Sequence, residues 1–308
     1  MRLPVALICL AAASMAPGAE VPPGRQHRLT IQGETVVTFV PQAKLPAIRA
    51  EYKAIVEYVV DTRRLKPARA AEGAKGKGPP ARAAVGAVDI ALHSTEVAHR
   101  RGDEPAVMAK VSRSRFQGRL QANGPTVDVA AKQAPAAIMD VLKRYDVVAA
   151  TMLVDDRNKV VDLRIKADGA QRALVETLVS IHAPVPEGLD AWEAPSRLAM
   201  GQGQTARGTL RYTRLGGSGP SRVKVEGVLK GEGVVAGNLI KDGTYTVEGE
   251  QTYDPKAREW VAARWTVRVD NELADAAGQT VARARGTMVV ESAVAGARPA
   301  EGPATTRR

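Results

Sequence analysis

The stretch Val261-Ala262-Ala263-Arg264-Trp265-Thr266-Val267-Arg268-Val269 decides how this chain folds. Val261, Ala263, Trp265, Val267 and Val269 alternate with Ala262, Arg264, Thr266 and Arg268, so one face is apolar and the other mostly polar at a period of two residues. A strand with one dry face and one wet face belongs in an antiparallel sheet. The pattern recurs in Tyr52, Ala54, Val56, Tyr58 and Val60, set against Glu51, Lys53, Ile55, Glu57 and Val59. It recurs in Val223, Val225 and Leu229 against Arg222, Lys224 and Glu226, and in Ala282, Ala284, Met288 and Val290 against Arg283, Arg285 and Thr287. Turn residues punctuate these runs. Gly216 to Pro220 separates two strands, Asp242-Gly243 precedes the strand of Tyr245 and Val247, and Asp155, Asp156, Arg157 and Asn158 join the apolar run 147–154 to 160–165.

Two helices interrupt the strands. Ile138, Met139, Val141, Leu142 and Tyr145 share one face of a helix over about 135–145, with Lys143 and Arg144 suited to its last turn. A second starts after Asp168, with Gln171 completing a capping box, buries Leu174, Val175, Leu178 and Val179, and stops at Pro184. The expected fold is therefore mainly β (α+β). Long antiparallel strands form a curved sheet or incomplete barrel, with two short helices packed on it. The hairpins 153–161 and 253–261 share an Asp-bearing turn, a hint of internal duplication.

The N-terminus predicts export. Arg2, the apolar run 3–13 and the small residues 14–19 follow the order of a secretory signal peptide, and the run is too short to span a bilayer. Cleavage after Ala16 and after Ala19 both fit. Cys9, the only cysteine, follows Ile8 rather than the small residue a lipid-attachment site needs, so the mature chain holds no thiol and no disulfide. The reading divides the chain into a signal peptide 1–19, an N-terminal segment 20–44, a first β-rich half 45–183 with both helices and a disordered basic loop at 65–82, a second β-rich half 184–293, and a disordered tail 294–308. The net charge of +11 is concentrated in flexible sequence: 63–82 holds seven basic residues and one acid, and the tail adds three arginines. No aromatic residue stands in 63–82 to stack bases, which excludes single-strand nucleic-acid binding there and leaves weak contact with anionic polymers.

No pattern of catalytic or metal-binding residues emerges. His27, His93, His99 and His182 show no metal-ligand spacing, and His93 and His99 stand six apart in a strand. Asp155, Asp156 and Asn158 lack the glycine and distal glutamate of a calcium loop. Gly201-Gln202-Gly203-Gln204-Thr205-Ala206 fits the letters of a dinucleotide fingerprint, but Thr205 onward alternates as a strand where a helix is needed, which makes it a hairpin. Ser218 lacks a strand–elbow–helix setting, and Glu248 and Glu250 fall on the wet face of a strand.

The order of meandering strands, two short helices and further long strands, with the Asp-turn hairpins at 153–161 and 253–261, resembles the periplasmic lipoprotein-carrier (LolA/LolB-like) architecture over roughly 45–293. The segment Pro184-Val185-Pro186-Glu187 with Trp192 also resembles a group of secreted bacterial proteins carrying that pattern before a strand-rich half. The carrier resemblance implies an incomplete barrel that holds acyl chains in an apolar cavity; this chain is longer and poorer in aromatic residues. The expectation for function is an exported, periplasmic or extracellular cell-envelope protein, not an enzyme and without cofactor, in a structural or interaction role. The alternative is carriage of a lipid or lipidated protein on the concave face of the sheet, at Tyr212, Val225, Tyr245, Val247, Trp265 and Val267.

Overall fold

The computed structural model describes residues 24–65, 84–119, 124–167, 169–199, 204–216, 220–235 and 238–295. The proposed signal peptide with Cys9, nearly all of the basic loop, the Asp168 cap, Gly201–Gly203, Ser218 and nearly all of the tail lie outside them. The first half contains β1 (Arg25–Phe39), β2 (Ile48–Arg64), β3 (Gly86–Arg101), β4 (Val107–Ser112), β5 (Arg115–Arg119) and β6 (Thr126–Ala130). It continues through α1 (Ala136–Leu142), β7 (Val148–Val154), β8 (Val160–Ile165) and α2 (Gly169–Ile181). The second half contains β9 (Ala191–Ala199), β10 (Thr205–Leu215), β11 (Ser221–Glu232), β12 (Val234–Val235), β13 (Asn238–Asp254), β14 (Glu259–Ala274) and β15 (Thr280–Val294).

These strands form one antiparallel, unclosed sheet in the order β6-β5-β4-β3-β2-β1-β15-β14-β13-β11-β10-β9. Segment 20–44, for which the sequence offered no element, carries β1, and β1 pairs with β2 on one side and β15 on the other. The two β-rich halves are thus one sheet joined at the β1–β15 ladder. The sheet forks at β3: residues 94–99 pair with β4, while residues 86–91 pair with β7, which carries β8 beyond it.

The alternation read from sequence survives in nearly every strand. Tyr58, Val56, Ala54, Val223, Val225, Leu229, Ala282, Ala284, Met288 and Val290 are all buried on one face, here called inner. Two local expectations fail. A register shift between Thr252 and Tyr253 pairs Tyr253 with Trp260 and Thr252 with Ala262, so Trp260 is buried and Val261 loses its inner place. Asp242-Gly243 makes no turn; it lies within β13 at a second register shift, between Ile240 and Asp242. A Cβ at Gly243 would stand 2.8 Å from Asn271 Oδ1, so the close approach there leaves room for glycine alone. The Asp-bearing turns are real. Asp155 accepts from the N–H groups of Arg157 and Lys159, Asp254 from those of Lys256 and Ala257, and Asp275, in a further hairpin, from Ala277 and Gln279 with the spacing of Asp155. A third hairpin with this device ties the likeness to turn chemistry.

Helix α2 fixes the curvature. It packs chiefly on β9 and also touches β3, β7 and β8. Strand β9 lies eight steps from β3 along the sheet, roughly 38 Å if flat at about 4.8 Å per step. One helix with a diameter of about 10–12 Å reaches both only because the sheet curls around it. Val175, Leu178 and Ile181 of α2 are buried in the same core as the inner face of both halves. Leu174 and Val179, expected in that stripe, are only partly buried. A second buried stripe, Glu176, Thr177 and Ser180, faces β9. Thr177 Oγ1 accepts from Ala199 N–H (2.7 Å), Ser180 Oγ accepts from Arg197 N–H (3.0 Å), and Glu176 holds the Arg197 guanidinium (2.6 Å). Side chains of α2 thereby occupy backbone donors that an edge strand would otherwise leave open. Among the described residues no helix is long and apolar enough to cross a membrane.

Candidate functional site

All six residues proposed as a ligand-facing surface lie on the inner face, none more than 1% exposed. The strand registers bring them together: Tyr212 stands opposite Val225, Tyr245 opposite Val269, and Val247 opposite Val267. Trp265 lies opposite Gly249, where a Cβ would approach the indole Cδ1 to 2.8 Å, so the missing side chain makes room for the ring. Tyr212 stacks on Trp192 of β9 with centroids 5.3 Å apart and planes within 6°, and the Arg214 guanidinium sits 5.9 Å from the Trp192 ring. Burial pushes the Tyr212 phenol up to about 12, against a smaller opposing pull from its hydrogen bond to Ser196. Tyr245 Oη accepts from Asn271 (2.7 Å) and donates to Gln204 (3.3 Å). The surface exists as read from sequence, and it is packed rather than open.

The C-terminal end of α2 and the segment that follows, residues 180–187, are bonded to the same inner face. Gln251 of β13 donates to Ile181 O (3.2 Å), Trp260 of β14 donates to Ala183 O (2.7 Å), and Tyr212 of β10 reaches Ser180 O (3.4 Å). Asn158 donates to Val185 O (2.8 Å), Glu187 N–H to Arg157 O (3.0 Å) and Arg214 to Pro186 O (3.1 Å). The first three bonds meet carbonyls at and just past the helix end, where the intrahelical ladder has run out. Together, these bonds tie the segment to both halves of the sheet. Pro184 and Pro186, read from sequence only as a helix stop and a motif, stand in this strap.

At its centre is a polar cluster that sequence reasoning missed. Tyr58 Oη shares hydrogen bonds with His182 Nε2 (2.8 Å) and Ser292 Oγ (2.7 Å). The His27 ring stacks on Tyr58 (5.4 Å) and meets the His182 ring edge-on (5.0 Å). His27 is lowered to about 4, first by burial and then by the charge of Arg25, so it is neutral at pH 7. His182 is pushed well below its usual range, first by burial and then by His27. Arg25 itself pairs with Glu259 (2.5 Å), whose carboxyl burial raises. Both His27 nitrogens, Gln251 Oε1 and Trp265 Nε1 are buried without a hydrogen-bond partner among the described residues. A signal for this cluster was present: His27 is in phase with Leu29 and Ile31, Gln251 with Val247 and Tyr245, and Ser292 with Val290, all polar residues on apolar faces.

The other sequence candidates are accounted for. His93 pairs with Asp146 on the surface (2.6 Å), and burial lowers His99. No group of three metal-ligating side chains occurs among the described residues. Glu248 and Glu250 sit on the outer face, paired with Arg268 and Arg222.

No family model and no curated protein matches the chain. Among solved structures it is similar to the β domain of the Bordetella autotransporter BrkA, at 7% identity and a TM-score of 0.26, over 87% of this chain and 99% of that one. It is also similar to an outer membrane channel from Pseudomonas putida F1, at 8% identity and a TM-score of 0.21, over 91% and 100%. Scores of this size mark no shared fold. The faces of the sheet are also reversed relative to a membrane-spanning barrel, which turns an apolar band outward and a polar surface inward. Here the outer face of β10–β15 is a ladder of ion pairs, among them Arg283–Asp270, Arg222–Glu250, Arg264–Glu291 and Arg268–Glu248, and the inner face is apolar.

Proposed function

We propose that this chain is an exported, non-catalytic cell-envelope protein of incomplete-barrel form, acting through its outer surface and edges rather than through a lumen. The observation that carries this reading is the covered inner face. Every one of the six proposed ligand-facing residues is fully buried in one core with α2, and bonds from β2, β10, β13 and β14 hold strap 180–187 against the same face. The test is native mass spectrometry with lipid extraction on mature protein purified without detergent. The expected result is a clean apo mass and no uptake of a fluorescent fatty acid. Acyl species at one per protein would overturn it.

A second reading has an observation of its own. The unpartnered His27 nitrogens and Gln251 Oε1 lie beside the strap, whose His182 ring meets His27 and whose Ile181 carbonyl takes the Gln251 amide, Trp265 Nε1 is buried on the same inner face, and buried polar atoms normally find partners. Displacement of α2 would open an apolar chamber lined by Tyr212, Val225, Tyr245, Val247, Trp265 and Val267, with those atoms placed for the ester or headgroup of a lipidated partner. This is the carrier function that the LolA/LolB-like resemblance implies.

A further inference from the structure

We infer that the open edge of β8 is a self-recognition surface, through which two copies of this chain join edge to edge. Among the described residues four strands have a ladder partner on one side only: the path ends β9 and β6, the fork end β8, and β12, which is two residues long and offers too little backbone to carry a further strand. They are treated differently. The β9 edge is occupied by Thr177, Ser180 and Glu176 of α2. The β6 edge is five residues long and centred on Asp128, which is bound to Arg115. Two copies paired about that centre would set Asp128 against Asp128, and like charges directly opposite disfavour pairing.

Strand β8, six residues long, differs in being uncovered and in having Leu163 rather than a charge at the centre of 161–165. Among the described residues it pairs with β7 alone. The N–H of Lys166 donates to Ala149 O on the β7 side. Alternation along the strand then points the N–H and C=O groups of Leu163 and Ile165 to the open side. Val161 and Leu163 are 42% and 44% exposed, and an open apolar edge strand is a template for pairing with another chain. The adjoining groove, about 830 Å³, runs from Val160, Val161 and Asp162 to Pro186 and Leu189, with Arg157, Lys159 and Glu187 also in its wall.

The sequence of β8 is complementary to itself when reversed. In an antiparallel pair with its two-fold axis at Leu163, Leu163 meets Leu163 of the second copy, Val161 meets Ile165, and Asp162 meets Arg164. The axis generates each unlike pair twice, which gives three apolar contacts on one face and two ion pairs on the other. Alone, Arg164 can only turn back on Asp162 within its own strand (2.8 Å), both half-exposed. Leu163 becomes a hydrogen-bonded pair, because its backbone groups face the open side. The occupant is thus a second copy: the strand carries both halves of each contact.

The experiment is sedimentation velocity of the full mature chain across a concentration series. Wild type should show a concentration-dependent dimer, and Leu163→Lys should remain monomeric with unchanged circular dichroism. Asp162→Arg and Arg164→Asp should each weaken the dimer roughly tenfold by turning both ion pairs repulsive. Mixing those two single variants should restore a heterodimer, because each chain then supplies the charge the other lacks. Leu163→Cys, in a chain without Cys9, should cross-link under oxidation, since directly opposed residues of a hydrogen-bonded pair lie about 5.5 Å apart, within disulfide reach. A wild-type chain that stays monomeric throughout and whose Leu163→Cys variant does not cross-link overturns the inference. So does a dimer that survives Leu163→Lys, which would place the contact elsewhere.

Discussion

The two faces of this sheet share every strand and differ in what holds them. On the inner face, apolar side chains from both halves and α2 form one core, and its polar groups bind the strap. On the outer face, one residue along, the same strands carry ion pairs whose members are half exposed. Exposed pairs contribute little because water screens them, whereas a buried ring or hydroxyl carries its full transfer or desolvation cost. Stability should therefore be set from inside.

The sharpest way to break this contrast is Trp265→Ala, which empties the middle of the inner face. A loss of about 3–5 kcal/mol in denaturant unfolding is expected; a loss under about 1 kcal/mol would mean the core is not continuous. Acid comes next. The folded state holds His27 near 4 against 6.5 for an exposed histidine, so the unfolded chain binds more protons as pH falls. Stability is full above about pH 6.5 and is lost as pH drops to about 4, by about 3 kcal/mol at roughly 1.4 kcal/mol per unit. His182 acts in the same direction. The outer face behaves differently: Asp270, held below its usual range first by its hydrogen bond from Arg283, contributes stability that is lost only at lower pH. Unfolding midpoints measured from pH 7.5 down to about 2 separate the windows, and His27→Leu should flatten the upper one. Tyr58→Phe removes the hydroxyl between His182 and Ser292, at an expected cost of about 1–3 kcal/mol. It should speed amide exchange in 178–187 before the rest of the sheet; uniform exchange would mean that the strap is not held there. Smallest is the outer face itself. Arg283→Ala, which breaks a two-bond pair with Asp270, should move the unfolding midpoint least of these variants, with little coupling in a double-mutant cycle with Asp270→Ala.

Strand phase was legible because burial on one side imposes a period of two, as at Tyr52 to Val60 and Ala282 to Val290. Helix α2 was legible through Val175 and Leu178. Its second face was not. Thr177 and Ser180 cover the backbone of Ala199 and Arg197, and no local pattern says which distant edge a hydroxyl will reach. The bulge at Trp260 escaped for a similar reason: a single extra residue leaves the alternation intact on either side and shifts only its phase. The six inner-face residues were read in the right place, but their covering was not, because it depends on how far the sheet curls. His27 was read as one of four unconnected histidines. Only the β1–β2 and β1–β15 ladders set it beside Tyr58 and Ser292.

The β1–β15 ladder has a consequence in time rather than space. Its thirteen paired positions, from His27 with Val294 to Phe39 with Ala282, join residues about 240–270 apart in the chain. Contacts this distant are slow to form, because a very long loop must close before they yield anything. A chain passed from its N-terminus through an export channel would deliver β1 first and its partner last. The sheet would stay open until nearly all of the polypeptide had emerged, so final folding would begin where translocation ends.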